Sequence, residues 1–246
     1  MIIAANWKMN LSRHEAALLL TKYCEISSCC DSAINLIAFV PACYLDLAES
    51  QLAGSDVQFG GQDCHDQQNG AFTGDISAQM IAEFGADWVL CGHSERRLYH
   101  AESDSLIAAK MVGASKSGLG VMLCVGESHQ DRLVGQSVTI VTEQLSASLR
   151  LWREHDVSGQ SLAIAYEPVW AIGTGLVASL GQISEMHDAI KTCVAGLGLS
   201  APVLYGGSVK PDNAGDILSL EHVDGALVGG ASLNADEFCQ IVTAGS

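Results

Sequence analysis

"DWVLCGHSERR", residues 87–97, puts a strand, a break and a helix start one after another. Trp88 to Cys91 is an apolar run too short for a buried helix, and Gly92 interrupts it. His93, Ser94 and Glu95 then read as the opening turn of a helix, with Ser94 placed to cap it. A strand buried on both faces that runs directly into a helix is one β/α unit. The same kind of apolar run recurs along the chain: "MIIAAN" at 1–6, "NLIAFV" at 35–40, "VQFGG" at 57–61, "VMLCVG" at 121–126, "LAIAY" at 162–166, "VLYGG" at 203–207 and "GALVGG" at 225–230. Between the runs lie segments of helical period. In 103–117, Leu106, Ile107, Met111 and Ala114 recur at spacings near three and four, and 182–196 and 234–242 read similarly. Eight alternations in 246 residues predict one (β/α)8 barrel over residues 1–246. A doubly wound sheet is the alternative, but no G-x-G-x-x-G follows the first strand, which runs into "NWKMN" instead.

The net charge is −16, from 28 acidic and 12 basic side chains. That balance argues against nucleic acid or an anionic membrane surface, both of which need clustered Lys and Arg. No run approaches the roughly 20 apolar residues of a membrane span. The start, "MIIAANWKMN", lacks a basic region and a long apolar stretch, so a cytoplasmic protein is expected. The nine cysteines show no CxxC pair, and Cys91 and Cys124 sit inside apolar runs, which predicts buried free thiols. The eight histidines show no ligand spacing, so no metal site is expected.

Polar residues collect where the apolar runs end, which in a barrel of this kind is the mouth that carries the chemistry. Asn6 and Lys8 follow the first run and, being two apart, share a face of an extended chain. Either alone reads as a turn residue or a solvated charge. His93 directly follows a core strand, at a helix start whose dipole disfavours the protonated ring; His129 in "GESHQDR" reads as a surface histidine. In "AYEPVWAIGTG", 165–175, Pro168 biases Glu167 toward an extended conformation. Tyr166 and Trp170 beside it can raise the carboxyl pKa by desolvation. The segment is too apolar for a solvated loop and ends in Gly-Thr-Gly, so it reads as a piece built to move and cover something. Gly206, Gly207 and Ser208 end the seventh run, and Gly229 and Gly230 the eighth. Paired glycines at consecutive strand ends let backbone N–H groups approach an anion.

The motifs "NWKMN", "CGHSERR", "YEPVWAIGTG", "YGGSV" and "GALVGGASL" resemble the signatures of the triosephosphate isomerase family, along a stretch from residue 2 to about residue 242. The resemblance implies an isomerase of glycolysis and gluconeogenesis. It would interconvert dihydroxyacetone phosphate and D-glyceraldehyde 3-phosphate through an enediolate, with neither metal nor organic cofactor. A glutamate base paired with a neutral histidine is that family's known assignment. Carried over, Glu167 is the base, His93 polarises the carbonyl and Lys8 stabilises the developing charge. Asn6 orients the substrate, and Glu95 pairs with Lys8. Gly173, Ser208, Gly229 and Gly230 hold the phosphate. The lid is Pro168, Val169, Trp170, Ala171, Ile172, Gly173, Thr174, Gly175, Leu176, Val177 and Ala178. The long 62–77 loop, with Phe72 and Thr73 at its tip, docks into a second copy of the chain beside Asn6 and Lys8, giving a homodimer. Three residues depart from the family pattern: Ala5 where glycine is usual, Asp63 where asparagine is frequent, and Leu176 where lysine is usual. None removes a reacting group. Two other readings of the fold are a barrel that binds a phosphorylated metabolite without turning it over and another isomerase or an aldolase. The first would lack the base or the electrophile, and an aldolase needs a lysine buried inside the barrel.

Overall fold

Alternate side chains of each strand enter two different apolar cores, and this fixes the architecture. In the computed structural model, which describes residues 1–155, 161–172 and 176–245, the strands are β1 (Ile2–Asn6), β2 (Asn35–Val40), β3 (Gln58–Gly61), β4 (Trp88–Cys91), β5 (Gly120–Val125), β6 (Leu162–Tyr166), β7 (Val203–Tyr205) and β8 (Gly225–Val228). Each pairs in parallel with the next, and β8 returns to β1, with Ala4 opposite both Ile37 and Leu227. Ala4, Ile37, Phe39, Trp88, Leu90, Met122, Cys124, Ala163, Ala165, Leu204 and Leu227 fill the inside of the barrel. Their neighbours in sequence, such as Ile3, Ala5, Val89, Cys91, Ile164 and Tyr166, pack outward against the helices. Parallel strands buried on both faces therefore read as near-continuous apolar runs. Small residues at Ala4, Cys124, Ala163 and Ala165 leave room for Phe39 and Trp88, so the interior is a packed core.

Around the sheet lie α1 (Arg13–Cys29), α2 (Leu45–Leu52), α3 (Ala78–Glu83), α4 (Ser94–Tyr99), α5 (Asp104–Lys116), α6 (His129–Leu133), α7 (Ser137–Glu154), α8 (Leu180–Gly196), α9 (Pro211–Leu218) and α10 (Ala235–Ala244). The expected helices over 103–117, 182–196 and 234–242 correspond to α5, α8 and α10, with ends shifted by one or two residues. The starts are set by local chemistry. Ser12 with Glu15 and Ser179 with Gln182 form reciprocal capping boxes at α1 and α8, an arrangement worth about 1 kcal/mol per cap. At α4 the expectation needs correcting. His93 is the cap, its Nδ1 accepting the Glu95 N–H at 3.2 Å, and Ser94 is the first helical residue. No helix among the described residues is long and apolar enough to cross a membrane.

Candidate active site

Strand parity aims the site. Ala163 and Ala165 face the barrel interior, so Glu167, two further along, faces the same side just beyond the end of β6. By the same count Asn6 follows Ala4, Gly206 follows Leu204, and Gly229 follows Leu227. These positions converge on a cavity of about 400 Å³ lined by Asn6, Lys8, His93, Glu95, Glu167 and the turns after β7 and β8. Glu167 is buried at 2% exposure. It needs a close approach from β5: a Cβ on Gly126 would stand 1.7 Å from the Glu167 carbonyl oxygen, so any side chain there displaces the Glu167 backbone.

Glu167 and His93 are in contact. His93 Nε2 lies 2.9 Å from Glu167 Oε1. Because Nδ1 accepts the Glu95 N–H, Nε2 carries the ring proton and donates it to the carboxylate. The other carboxylate oxygen, Oε2, accepts the Ser94 N–H at 2.8 Å. Burial on its own would raise the Glu167 carboxyl. The His93 ring, the Ser94 N–H and the Lys8 ammonium outweigh it and hold the group below the usual carboxylate range. Tyr166 and Trp170, expected to supply that burial, instead turn their polar ends to Glu127, and the desolvation Glu167 does feel is not the winning effect. For His93, burial pulls the ring down, while the Glu167 carboxylate pushes it up and prevails.

Lys8 reaches the cavity differently from the expectation. Asn6 ends β1, and the chain then turns sharply, with Lys8 at φ 52° in the left-handed region. For a lysine this conformation costs about 1–3 kcal/mol and persists only where the surroundings hold it. Asn6 Oδ1 accepts the Lys8 N–H at 3.0 Å, and Gln62 Nε2 donates to the Lys8 carbonyl at 2.9 Å. The Lys8 ammonium pairs with Glu95 at 2.7 Å. Its Cε would stand 3.6 Å from a Cβ on Gly229, so the side chain spans from the His93–Glu167 end of the cavity to the glycine turn. Trp7, between Asn6 and Lys8, points away into the core, where its indole donates to Tyr23.

The covering segment starts from anchored residues. Pro168 is buried, Val169–Ala171 form a 3₁₀ turn, and Ile172 lines the cavity. Ser208 Oγ donates to the Ala171 carbonyl at 2.7 Å, tying the turn after β7 to the segment. Trp170 Nε1 donates to Glu127 Oε1 at 2.9 Å, which also accepts from Tyr166 at 3.1 Å and Arg132 at 2.8 Å. At the far side Leu176 and Val177 are half exposed, while Ala178 is buried just before the α8 cap. Gly173, Thr174 and Gly175 lie outside the described residues. Gly229 and Gly230 open a short 3₁₀ turn at the cavity edge, and nothing stands within 4 Å of a Cβ built on Gly230.

Several participants were not read from the sequence. Ser94, expected as a cap, instead gives its N–H to Glu167. Glu127 and Arg132 lie in "GESHQDR", whose pattern points only to a surface His129. The position of Glu127 just past a strand end was the available signal. The Asp63 departure also resolves within the chain. Its carboxylate accepts from the buried Lys110 at 2.8 and 2.9 Å and meets Arg96 at 2.9 Å. Chemically, the cavity offers a carboxylate that can take a proton from carbon, an N–H that can polarise a neighbouring carbonyl, and a cation for the charge that develops between them.

A sequence model of the triosephosphate isomerase family matches residues 1–245. The triosephosphate isomerase of Bordetella pertussis is 44% identical over 246 residues, covering 99% of this chain and 96% of the relative. That of Caulobacter vibrioides is 42% identical over 254 residues, with 99% and 96% covered. A crystal structure of triosephosphate isomerase from Bartonella henselae superposes with a TM-score of 0.86 at 38% identity, covering 99% of this chain and 98% of that one.

Proposed function

The chain belongs to the triosephosphate isomerase family and interconverts dihydroxyacetone phosphate and D-glyceraldehyde 3-phosphate, and we propose that Glu167 moves the proton in this reaction. The 2.9 Å contact between His93 Nε2 and Glu167 Oε1 carries that reading. Substrate entering the cavity replaces each partner of this contact. Its carbonyl oxygen takes the His93 N–H, and its carbon-bound proton faces the Glu167 carboxylate. Once the carboxylate no longer faces the ring, burial and the Lys8 ammonium both lower the His93 pKa, so the ring polarises the carbonyl as neutral imidazole. Lys8 meets the enediolate charge, Asn6 holds the Lys8 backbone and faces the substrate, and Glu95 orients the ammonium.

The phosphate sits against the backbone N–H groups of Gly173, Ser208, Gly229 and Gly230. Support comes from the converging turns after β7 and β8 and from the open space beside Gly230. Residues 168–178 close over it. An enediolate can expel its phosphate, so water must be kept out and the phosphate held until reprotonation. We read residues 1–246 as one catalytic domain, because the first and last strands share a ladder. The protein acts in the cytoplasm as a homodimer built on the 62–77 arm. His65 and Ile76 pin the arm's base, Phe72 rests on the His65 ring, and Phe72, Ile76, Met80 and Met9 are left open to solvent. Apolar side chains exposed around one arm mark a surface that another protein covers.

The test is Glu167→Gln in a coupled assay with a dihydroxyacetone phosphate reductase. Loss of the base lowers kcat by about 10²–10⁴-fold with KM nearly unchanged. A variant that keeps more than about a tenth of parental kcat removes Glu167 from this role.

A further inference from the structure

The chain carries a net charge of −16, yet its substrate is an anion. The charged side chains that line the cavity include the acids Glu95, Glu167 and Glu237 and the bases Lys8 and Lys210. Lys8 is paired with Glu95 at 2.7 Å, and Glu167 is buried against His93. The charges left at the rim are Lys210, in the turn after β7, and Glu237, in the first turn of α10. Both are exposed, and neither has an ion-pair partner among the described residues. Their backbones are fixed relative to the glycine turns. The Lys210 N–H donates to Asn213 Oδ1 at 2.8 Å, and Asn213 Nδ2 donates to the Ser208 carbonyl at 3.0 Å. The Glu237 N–H donates to Asn234 Oδ1 at 3.1 Å, directly after the 3₁₀ turn that Gly230 opens.

We propose that Lys210 and Glu237 form a rim pair of opposite sign that sets how readily the phosphorylated substrate is captured, Lys210 drawing the dianion to the Gly229–Gly230 turn and Glu237 opposing it. Neither side chain takes part in proton transfer. The pair acts on entry and on release, which is how rim charges act at binding sites generally. Against an acidic surface an unpaired lysine at the mouth supplies the local positive potential that an anion needs. The opposing glutamate limits how long a phosphorylated product is retained. This proposal rests on the assignment of the phosphate to the glycine turns.

Salt separates a field effect from a structural one. At about 0.01 M ionic strength charges act over about 30 Å, and at about 1 M over about 3 Å. At low salt, Lys210→Gln is expected to lower kcat/KM about three- to fivefold. It should weaken inhibition by inorganic phosphate to a similar degree, with kcat unchanged. Glu237→Gln shifts both quantities the other way, and Lys210→Arg behaves as the parent. At high salt all of these proteins converge. A Lys210→Gln protein with parental kcat/KM at low salt overturns the proposal, as does a loss that persists unchanged at high salt. Gly230→Asp distinguishes the two levels. If it raises KM and weakens phosphate inhibition while the rim variants are silent, the glycine site stands and the rim pair fails. If it too is silent, the phosphate lies elsewhere.

Discussion

His93 and Glu167 set each other's charge, and this can be measured one group at a time. The ring is buried, which disfavours its protonated form, yet the adjacent carboxylate raises its pKa above the ordinary histidine value. Replacing Glu167 by glutamine removes that anion and leaves the burial. The sign is then fixed: the ring should titrate lower in Glu167→Gln than in the parent, because an opposite charge in contact has been removed. Nitrogen NMR of the labelled imidazole reads this directly. An unchanged titration would mean that the contact is not made in solution. Lys8 shows what else a single residue brings. Its left-handed backbone is not visible in "NWKMN", because the Asn6 carboxamide and Gln62, just past the end of β3, make that conformation hold.

The covering segment and its neighbours behave as linked elements. Pro168 and the 3₁₀ turn are held by Glu127, Trp170 and Ser208, while Ser179 caps the helix beyond. The residues flanking 173–175 are therefore anchored on both sides, and under the proposed function the segment between them closes over the phosphate. Deleting Ala171–Gly173 should lower kcat and divert much of the enediolate to methylglyoxal and inorganic phosphate. Product analysis of the variant checks it, and a deletion that releases no extra methylglyoxal denies the segment its protective role. The opposite side of the site depends on charge. Lys110 on α5 is buried at 4% exposure between Asp63, after β3, and Glu102, before α5, whose Oε1 also accepts from Arg96 on α4. Lys110→Met removes one cation from two partly desolvated acids and leaves both on Arg96. The expected loss is about 1.5–3 kcal/mol, read by urea unfolding at fixed protein concentration. A loss below about 1 kcal/mol would show that the cluster is solvated and weak.

Activity should depend on assembly, since the 62–77 arm borders the residues that shape the site. Gln62, at its base, holds the Lys8 carbonyl, and Asp63 meets Arg96 one residue from Glu95. In the proposed homodimer the partner would keep Phe72 and Ile76 from water, and an arm loosened by its loss would pass that loosening to Lys8. Specific activity should therefore fall as the protein is diluted through its dimer dissociation constant. Light scattering and assay at matched concentrations check this, and a fully active monomer refutes it.

The number and order of the strands, the helices between them and the barrel were legible in residues such as 87–97 and 162–166, because strands buried on both faces must be apolar throughout and cannot hide that pattern. That Glu167, His93, Lys8 and the paired glycines meet at one mouth was legible, because they stand where those runs stop. The pKa directions were not. Desolvation, which a sequence suggests through apolar neighbours such as Tyr166 and Trp170, is opposed by charges and N–H groups from other strands, and only their distances decide the balance. Nor could the sequence show that Ser94 offers its N–H to Glu167, that Glu127 and Arg132 brace Trp170, or that Asp63 answers Lys110. Each of these contacts joins residues from different strand ends or helices, and it was the closure of the barrel that brought them together.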